Sequence, residues 1–299
     1  MNVTKKASLG IVFATSAAIL WGFTGLLSQY LFKETDVSIG WLMGVKTLIS
    51  AFIVLLAAYH TEGNKLFEVW RHPSDYLQVA AYGLVGLAGV QLTYSLTVYD
   101  SNAAIATILQ TLGVVGVIIY SALVFHQRPR RQEYLAVIIA LIGTYLLVTR
   151  GHGLNIALSP ATLRDGSLLV LCGTGLAVLP VGLLKKYSSL TILGWGLLIG
   201  GIIFEVGHPF WVGLPTFSLI NTSCIILITL IGTTLSYLLF LHSMNYINST
   251  VAALLDTFEP LTAAVGTMLF FNASYNWAEY LGSFLILSTV FILAVGKKN

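Results

Sequence analysis

Two acidic residues in the C-terminal third of the chain, Asp256 and Glu259, lie three positions apart within an apolar stretch and are followed by Pro260. On a helix this spacing places both carboxyl groups on one face. Because Pro260 has no amide hydrogen, the carbonyl of Asp256 loses its usual helical partner, and we expect a kink. The pattern therefore predicts a free carbonyl and a carboxylate that can hold a proton, a cation or a polar solute.

Lys46 is a basic residue in a second apolar stretch. If both stretches cross a membrane, Glu259 lies about ten residues and Lys46 about eight residues into their helices, near the midplane at about 1.5 Å per residue. Two interpretations stay open. The two charges form a buried structural pair, or Glu259 binds an amino group or a proton and Lys46 binds a carboxylate, as a zwitterionic cargo requires.

Five further residues carry a polar group within apolar stretches of the sequence, and they are candidates for orienting a substrate: Trp21, Gln91, Tyr94, Gln110 and Tyr237. Hydrogen bonding between helices is the alternative role for each of them. Gln91 and Tyr94 share a helix face because they lie three residues apart. Glu205 and His208 are expected to form a pair at the membrane rim.

Enzyme signatures are missing from the sequence: it contains no HExxH, no GxSxG and no phosphate-binding loop. Cys172 and Cys224 both lie in apolar runs and lack the spacing of a zinc site. We therefore expect no enzymatic activity, no cofactor and no metal.

The elements that must position these residues are membrane helices. Hydrophobic residues make up 57% of the 299 residues and charged residues only 9%, against about 25% charged residues in soluble proteins. Since each crossing takes about 20 apolar residues, ten crossings use roughly two-thirds of the chain and leave no room for a soluble domain. The net charge of +3 is small and gives no reason to expect nucleic acid binding.

Apolar runs and their interruptions predict ten transmembrane helices, so the fold class is an all-α integral membrane protein. The first run continues too far for a cleaved signal peptide and is expected to be retained. The predicted helices are Leu9–Leu31, Ser38–Ala58, Leu77–Val98, Ala103–Phe125, Gln132–Thr149, Gly166–Leu184, Leu190–Phe210, Leu219–Met244, Ser249–Phe271 and Trp277–Val295.

Glycine and proline residues occur at corresponding places in the first and sixth predicted helices. They are Gly22 and Gly25 in the first helix and Pro180 and Gly182 in the sixth. These residues are candidate hinge points because they weaken or interrupt a helix. Close packing of neighbouring helices is the alternative explanation for the glycines.

The orientation follows from the distribution of Lys and Arg between alternate connections. One side carries 11 of the 15 basic residues and the other carries three. Because cytoplasmic loops are enriched in Lys and Arg, both termini are predicted to be cytoplasmic.

The chain also repeats itself. Residues 102–148 lie over residues 248–294 without a gap, which pairs Thr111 with Thr257 and the sequence Glu-Tyr-Leu at 133–135 with the same sequence at 279–281. Five helices per copy make an odd number of crossings, so the second copy enters from the opposite face. This predicts a five-plus-five inverted repeat, with units 1–150 and 160–299 and a substrate site between them near the midplane.

Several short motifs resemble the EamA-type transporters of the drug/metabolite transporter superfamily. These are Trp21-Gly22, the Ala103–Ala106 stretch, the Leu141–Thr144 stretch, and Glu259-Pro260-Leu261 with Ala263-Ala264. The resemblance implies a ten-helix inverted-repeat fold and secondary transport, often export of amino acids, other metabolites or toxic compounds. Lys46 stands where members often have Arg. Gly113 and Val114 replace a common Ala-Pro or Ser-Pro pair, so only the ninth helix keeps its proline.

These observations predict a secondary or facilitative transporter that exports small polar metabolites or drugs by alternating access. An importer of a sugar or vitamin is the alternative within transport, and a membrane receptor or an intramembrane enzyme is the alternative of another class. The expected partners are a small-molecule substrate, protons in the case of coupled transport, and membrane lipids, with no nucleic acid. The expected oligomeric state is a monomer or a homodimer, and the expected location is the cell membrane.

Overall fold

A computed structural model describes residues 3–100, 103–124, 126, 130–152, 159–271 and 276–295, and these residues form helices with no strand. The helices are α1 (Val3–Glu34), α2 (Ile39–Glu62), α3 (Pro73–Ala81), α4 (Val90–Asp100), α5 (Ala103–Leu123), α6 (Arg131–Thr149), α7 (Pro160–Val178), α8 (Pro180–Leu183), α9 (Ser189–Gly207), α10 (Leu219–Leu227), α11 (Ser236–Ser243), α12 (Ser249–Leu255), α13 (Phe258–Phe271) and α14 (Trp277–Val295). A 3-10 segment, Gly63–Arg71, follows α2.

These helices make ten spans, as predicted. The third span is α3 and α4 joined by a π-helical segment, the sixth is α7 and α8, the eighth is α10 and α11 joined by a second π-helical segment, and the ninth is α12 and α13. Among the described residues, eight segments are long and apolar enough to cross a membrane. The divided ninth span and α14 are the two further helical spans.

Some predicted boundaries were wrong by several residues. The third and sixth spans begin earlier than expected, at Pro73 and Pro160, because proline at the first helical position has its φ angle already fixed for a helix. Ser159 caps the sixth span by accepting a hydrogen bond from the amide of Thr162 at 3.1 Å. The predicted end of the fourth helix, Phe125, lies outside the described residues.

The π-helical segments, Tyr82–Gly89 and Ile228–Leu235, occupy corresponding places in the third and eighth spans. Wider turns leave carbonyl groups poorly paired, and in a bilayer these need partners within the protein. Hydroxyl groups supply them in the eighth span, where Thr234 donates to the Thr229 carbonyl at 3.0 Å and Ser236 to the Ile231 carbonyl at 2.7 Å.

The pattern of helix contacts confirms the five-plus-five repeat. The second and seventh spans pack against each other, as do the fifth and tenth, and each of these pairs consists of equivalent helices. The remaining major contacts come in matched sets. The fourth span packs on the sixth as the ninth packs on the first, and the third packs on the sixth as the eighth packs on the first. Exchange of the two halves therefore leaves the packing scheme unchanged.

Close packing of the fifth and tenth spans depends on two glycines. A Cβ atom added to Gly282 would lie 2.6 Å from the Gly143 carbonyl oxygen, and one added to Gly143 would lie 3.0 Å from the Gly282 carbonyl oxygen. The two positions are not equivalent in the repeat, but both allow the backbones to touch, as small residues do in membrane helix pairs.

The two faces of the bundle are defined here by the chain ends of the helices. The N-terminal face is the one at which α1 begins, and α2, α8 and α11 end there. The prediction that this face is cytoplasmic stays a prediction. Three of the basic residues on which it rests, Arg128, Lys297 and Lys298, lie outside the described residues.

Candidate functional site at the broken ninth span

The ninth span breaks at Asp256 and Thr257, between the end of α12 at Leu255 and the start of α13 at Phe258. The predicted kink is therefore confirmed, but the predicted free carbonyl was wrong. The Asp256 carbonyl accepts a hydrogen bond from the amide of Glu259 at 2.9 Å, three residues on, in place of the donor that Pro260 lacks. A tightened turn therefore takes the place of an open backbone site.

Gln110 of α5 meets both acidic residues at this break. Its side-chain nitrogen Nε2 donates to Glu259 Oε2 at 3.1 Å, and its side chain also hydrogen-bonds to Asp256. The second oxygen of Asp256, Oδ1, is buried and has no hydrogen-bond partner. Glu259 itself lies in the first turn of α13, where the helix dipole favours a negative charge.

Aromatic residues form the wall beside the acidic pair. The rings of Trp21 and Tyr237 meet edge to face with centroids 4.9 Å apart. The Tyr94 hydroxyl hydrogen-bonds to Thr107, and both tyrosines lie near enough to Glu259 to interact with its charge. Six of the eight predicted site residues are thus brought to one place: Trp21, Tyr94, Gln110, Tyr237, Asp256 and Glu259.

A small cavity opens between α5 and the broken span. Its lining consists of Thr107, Gln110, Thr111, Ala253, Asp256, Thr257, Glu259 and Pro260. With about 20 Å³ of free space it has room for a water molecule, whereas ligand pockets usually measure about 300 to 1,000 Å³. The bundle is therefore closed around the acidic pair in this conformation.

Gly22 was predicted as a hinge or, alternatively, as a packing position. The structure supports packing, because α1 runs unbroken through it. A Cβ atom at Gly22 would lie 2.5 Å from the backbone oxygen of Glu259. Any larger residue would push α1 away from α13, so Gly22 fixes the first span against the break.

Two predicted site residues lie elsewhere. Lys46 is half-buried on α2 and does not line the cavity. Within the described part of the chain no carboxylate oxygen lies within 4.0 Å of its Nζ atom, so the predicted pair with Glu259 is not formed. Gln91 donates to the Leu87 carbonyl at 3.0 Å at the end of the first π-helical segment, and its Oε1 atom is buried without a partner.

Two groups of residues were missed by sequence reasoning. Thr107 and Thr111 line the cavity with Gln110. The two threonines are four positions apart on α5, a spacing that places them on one helix face and that can be read from the sequence. The second group, at the N-terminal face, has no such signal because its members are far apart in the sequence, with Asp75 and Lys186 separated by 111 positions. There Asp75 accepts from Lys186 at 2.8 Å and from the Tyr187 hydroxyl at 2.7 Å.

Glu205 and His208, the predicted rim pair, do not bond to each other. Glu205 accepts from the amide of Phe210 at 2.7 Å, and His208 packs its ring on Gly40. Each keeps one buried polar atom without a partner, Oε1 in Glu205 and Nδ1 in His208.

Ten helical spans, an inverted repeat and a half-buried polar site between the halves define a multi-pass membrane protein with the architecture of a membrane transporter. The model of the EamA-like transporter family matches residues 8–149 and again 167–295. The chain belongs to the EamA-like transporter family.

Relatives of similar length are named as transporters. The chain is 31% identical over 302 residues to YicL of Salmonella typhimurium, named an uncharacterized inner membrane transporter, with 100% of this chain and 98% of the relative covered. It is 23% identical to the uncharacterized transporter YwfM of Bacillus subtilis, with 98% and 96% covered. A crystal structure of another protein superposes with a TM-score of 0.78 over 98% of this chain and 99% of that one, at 16% identity, which shows the shared fold alone.

Proposed function

We propose that this protein is a secondary transporter of the cell membrane that exports small polar metabolites or drugs by alternating access. The observation that carries the proposal is the acidic pair Asp256 and Glu259, half-buried at a helix break between two inverted halves. Charged groups at membrane depth are costly and commonly mark a substrate or proton pathway. We assign the site to substrate binding or proton coupling and assign no enzymatic reaction to the chain.

Contacts between the two halves at the N-terminal face support alternating access. Besides Asp75 with Lys186 and Tyr187, Thr191 donates to Glu62 at 2.9 Å and the Trp195 indole donates to the Leu66 carbonyl at 3.0 Å. We name these seven residues the N-face seal: Glu62, Leu66, Asp75, Lys186, Tyr187, Thr191 and Trp195. Burial and the hydrogen bond to Asp75 raise the pKa of Tyr187 to about 12, so its hydroxyl keeps the proton that it donates.

The seal consists of hydrogen bonds and one ion pair, which water can replace when the face opens. A contact between the halves that never opens would instead be formed by buried apolar side chains. In the proposed cycle the seal breaks as the opposite face closes, and cargo bound at the acidic pair is exposed to each side in turn.

Flux measurement in proteoliposomes tests the proposed function. Purified protein alone should move labelled amines, amino acids or related polar solutes without ATP, and Glu259→Gln should reduce this flux about 10- to 100-fold. Glu68→Gln, an equivalent change at an exposed position of the 3-10 segment, is the matched control and should transport normally. A strict ATP requirement, or no flux of any solute in a broad panel, would overturn the proposal.

Direction of transport is tested in the same vesicles. Export predicts faster net flux from the N-terminal face to the opposite face under an imposed proton gradient of physiological sign. Uptake in the reverse direction under that gradient would instead support an importer.

A further inference from the structure

We propose that the central site binds the ammonium group of a cationic cargo, a primary or secondary amine, and that the Gln110 carboxamide occupies the position of this group in the empty transporter. This inference rests on the proposed function and narrows it to one substrate class. A zwitterion or an anion is the competing cargo.

The charge at the site favours a cation. Asp256 and Glu259 line the same small cavity, and among the described residues no Lys, Arg or His nitrogen lies within 4.0 Å of either carboxylate. Two carboxyl groups in a site with room for little more than one water molecule need a positive partner or a proton to be stable there. Lys46 was the natural candidate for that partner, and it lies outside the cavity.

An unused hydrogen-bond acceptor supports the same class of ligand. Asp256 Oδ1 is buried beside the cavity and accepts no hydrogen bond. A buried acceptor without a donor is unfavourable, so a ligand that brings a donor gains free energy by binding there. An ammonium group brings up to three N–H donors as well as the missing charge.

Gln110 shows where the donor belongs. Its Nε2 atom donates to Glu259 Oε2 at 3.1 Å, as an ammonium N–H would. The amide is neutral, so it satisfies hydrogen bonding without compensating the charge. A cationic cargo therefore competes favourably for Glu259, because a hydrogen bond between two charged groups is stronger than one with a neutral donor.

The aromatic wall suits the same class of ligand. Trp21, Tyr94 and Tyr237 adjoin the acidic pair, and aromatic faces attract organic cations. A carboxylate on the cargo would instead lie near two acidic groups, with no basic residue in the cavity to receive it. The structure thus favours an amine over the zwitterion that a nearby Lys46 would have allowed.

Gln110→Lys tests the site whatever the identity of the cargo, because it places a tethered ammonium group beside both acids. The melting temperature of the purified protein should equal or exceed that of the wild type, whereas Gln110→Met, a neutral change of similar length, should lower it. In a background of Asp256→Asn and Glu259→Gln, the lysine should lower the melting temperature. Equal destabilisation in both backgrounds, or failure of Gln110→Lys to fold in the wild-type background, would overturn the inference.

Calorimetry with a matched ligand series tests it directly. The probes are methylammonium, propylammonium and phenethylammonium, each against the alcohol of the same carbon skeleton, and phenylalanine as the zwitterion. At least one ammonium ion should bind while its alcohol does not, and Glu259→Gln should weaken that binding about 10- to 100-fold, as expected for loss of one charge-assisted contact. Glu68→Gln should bind as the wild type does.

The outcomes separate this inference from the proposed function. Binding of phenylalanine alone, or flux of anions or sugars without binding of any ammonium probe, would overturn the cationic cargo and leave transport intact. Absence of flux for every solute would overturn the proposed function itself.

Discussion

The fourth and ninth spans are equivalent in the repeat, yet they differ at the site. In the register that places residues 102–148 over 248–294, Gln110 corresponds to Asp256, Gly113 to Glu259 and Val114 to Pro260. The fourth span is one continuous helix, α5, whereas the ninth is divided into α12 and α13. The amide lies on the continuous helix and both acids lie on the broken one.

This difference shows how an inverted repeat becomes functionally unequal. Proline at 260 removes one amide donor, and the chain responds with the tight turn at Asp256 and Thr257. Valine at 114 keeps that donor, so α5 offers a straight support from which Gln110 reaches across to Glu259. One half carries the charge and the other half presents the donor.

Val114→Pro should have the largest effect, because it would give α5 the proline that the ninth span has at the equivalent position, Pro260. It should destabilise the protein by about 3 kcal/mol or more, since the Gln110 carbonyl would lose its helical donor where water cannot replace it. Thermal unfolding and folded yield in detergent measure this. The converse change, Pro260→Ala, should leave yield intact and reduce flux. A well-folded Val114→Pro protein with normal flux would contradict the proposed role of the straight helix.

Glu259→Gln should have the next largest effect and act on flux more than on folding. We expect transport to fall about 10- to 100-fold, because one charge-assisted contact is lost while the shape is kept. Removing one partner of a buried ion pair would instead cost about 3 to 5 kcal/mol of stability. Since Lys46 does not pair with Glu259, adding Lys46→Met to Glu259→Gln should give no recovery of folded yield. Recovery in the double variant would restore the structural-pair interpretation.

Thr257→Val compared with Thr111→Val should give the smallest difference. Thr257 donates its hydroxyl to the Leu254 carbonyl at 2.8 Å beside the break, and Thr111 donates to the Thr107 carbonyl at 2.9 Å within a continuous helix. Loss of the first should cost about 1 kcal/mol because it removes a buried hydrogen bond beside the break. Loss of the second should stay within about 0.5 kcal/mol. Equal melting temperatures for the two variants would show that the break does not depend on this hydroxyl.

Prediction of the fold succeeded because membrane helices leave a strong record in the sequence. Apolar runs determined the spans, and the gapless repeat determined which spans are equivalent. The break at Asp256 and the division of the sixth span at Pro180 were also predictable, because a missing amide hydrogen is a property of proline itself. The π-helical segments were not predicted, since they depend on neighbouring hydroxyl groups and on packing.

The candidate site was only partly visible in the sequence. The types and depths of Asp256, Glu259 and Gln110 could be read directly, and their depths also made Lys46 a possible partner. Equal depth in the membrane does not by itself bring two side chains into contact, however, because their helices must also be neighbours and must turn the side chains toward each other. Helix packing about the first and ninth spans, held close by Gly22, turned Glu259 toward Gln110, whereas Lys46 lies on α2, which packs mainly on α9.

The sequence by itself therefore determined the membrane class, the ten spans, the repeat and the position of the helix break, because each depends on local composition or on one residue's covalent chemistry. Only the tertiary structure decided which buried polar groups meet. It joined Gln110 to Glu259, separated Lys46 from both acids and assembled the N-face seal from distant segments. The rotation of each helix about its axis and its choice of neighbours arise from packing across the whole bundle, which no single stretch of sequence encodes.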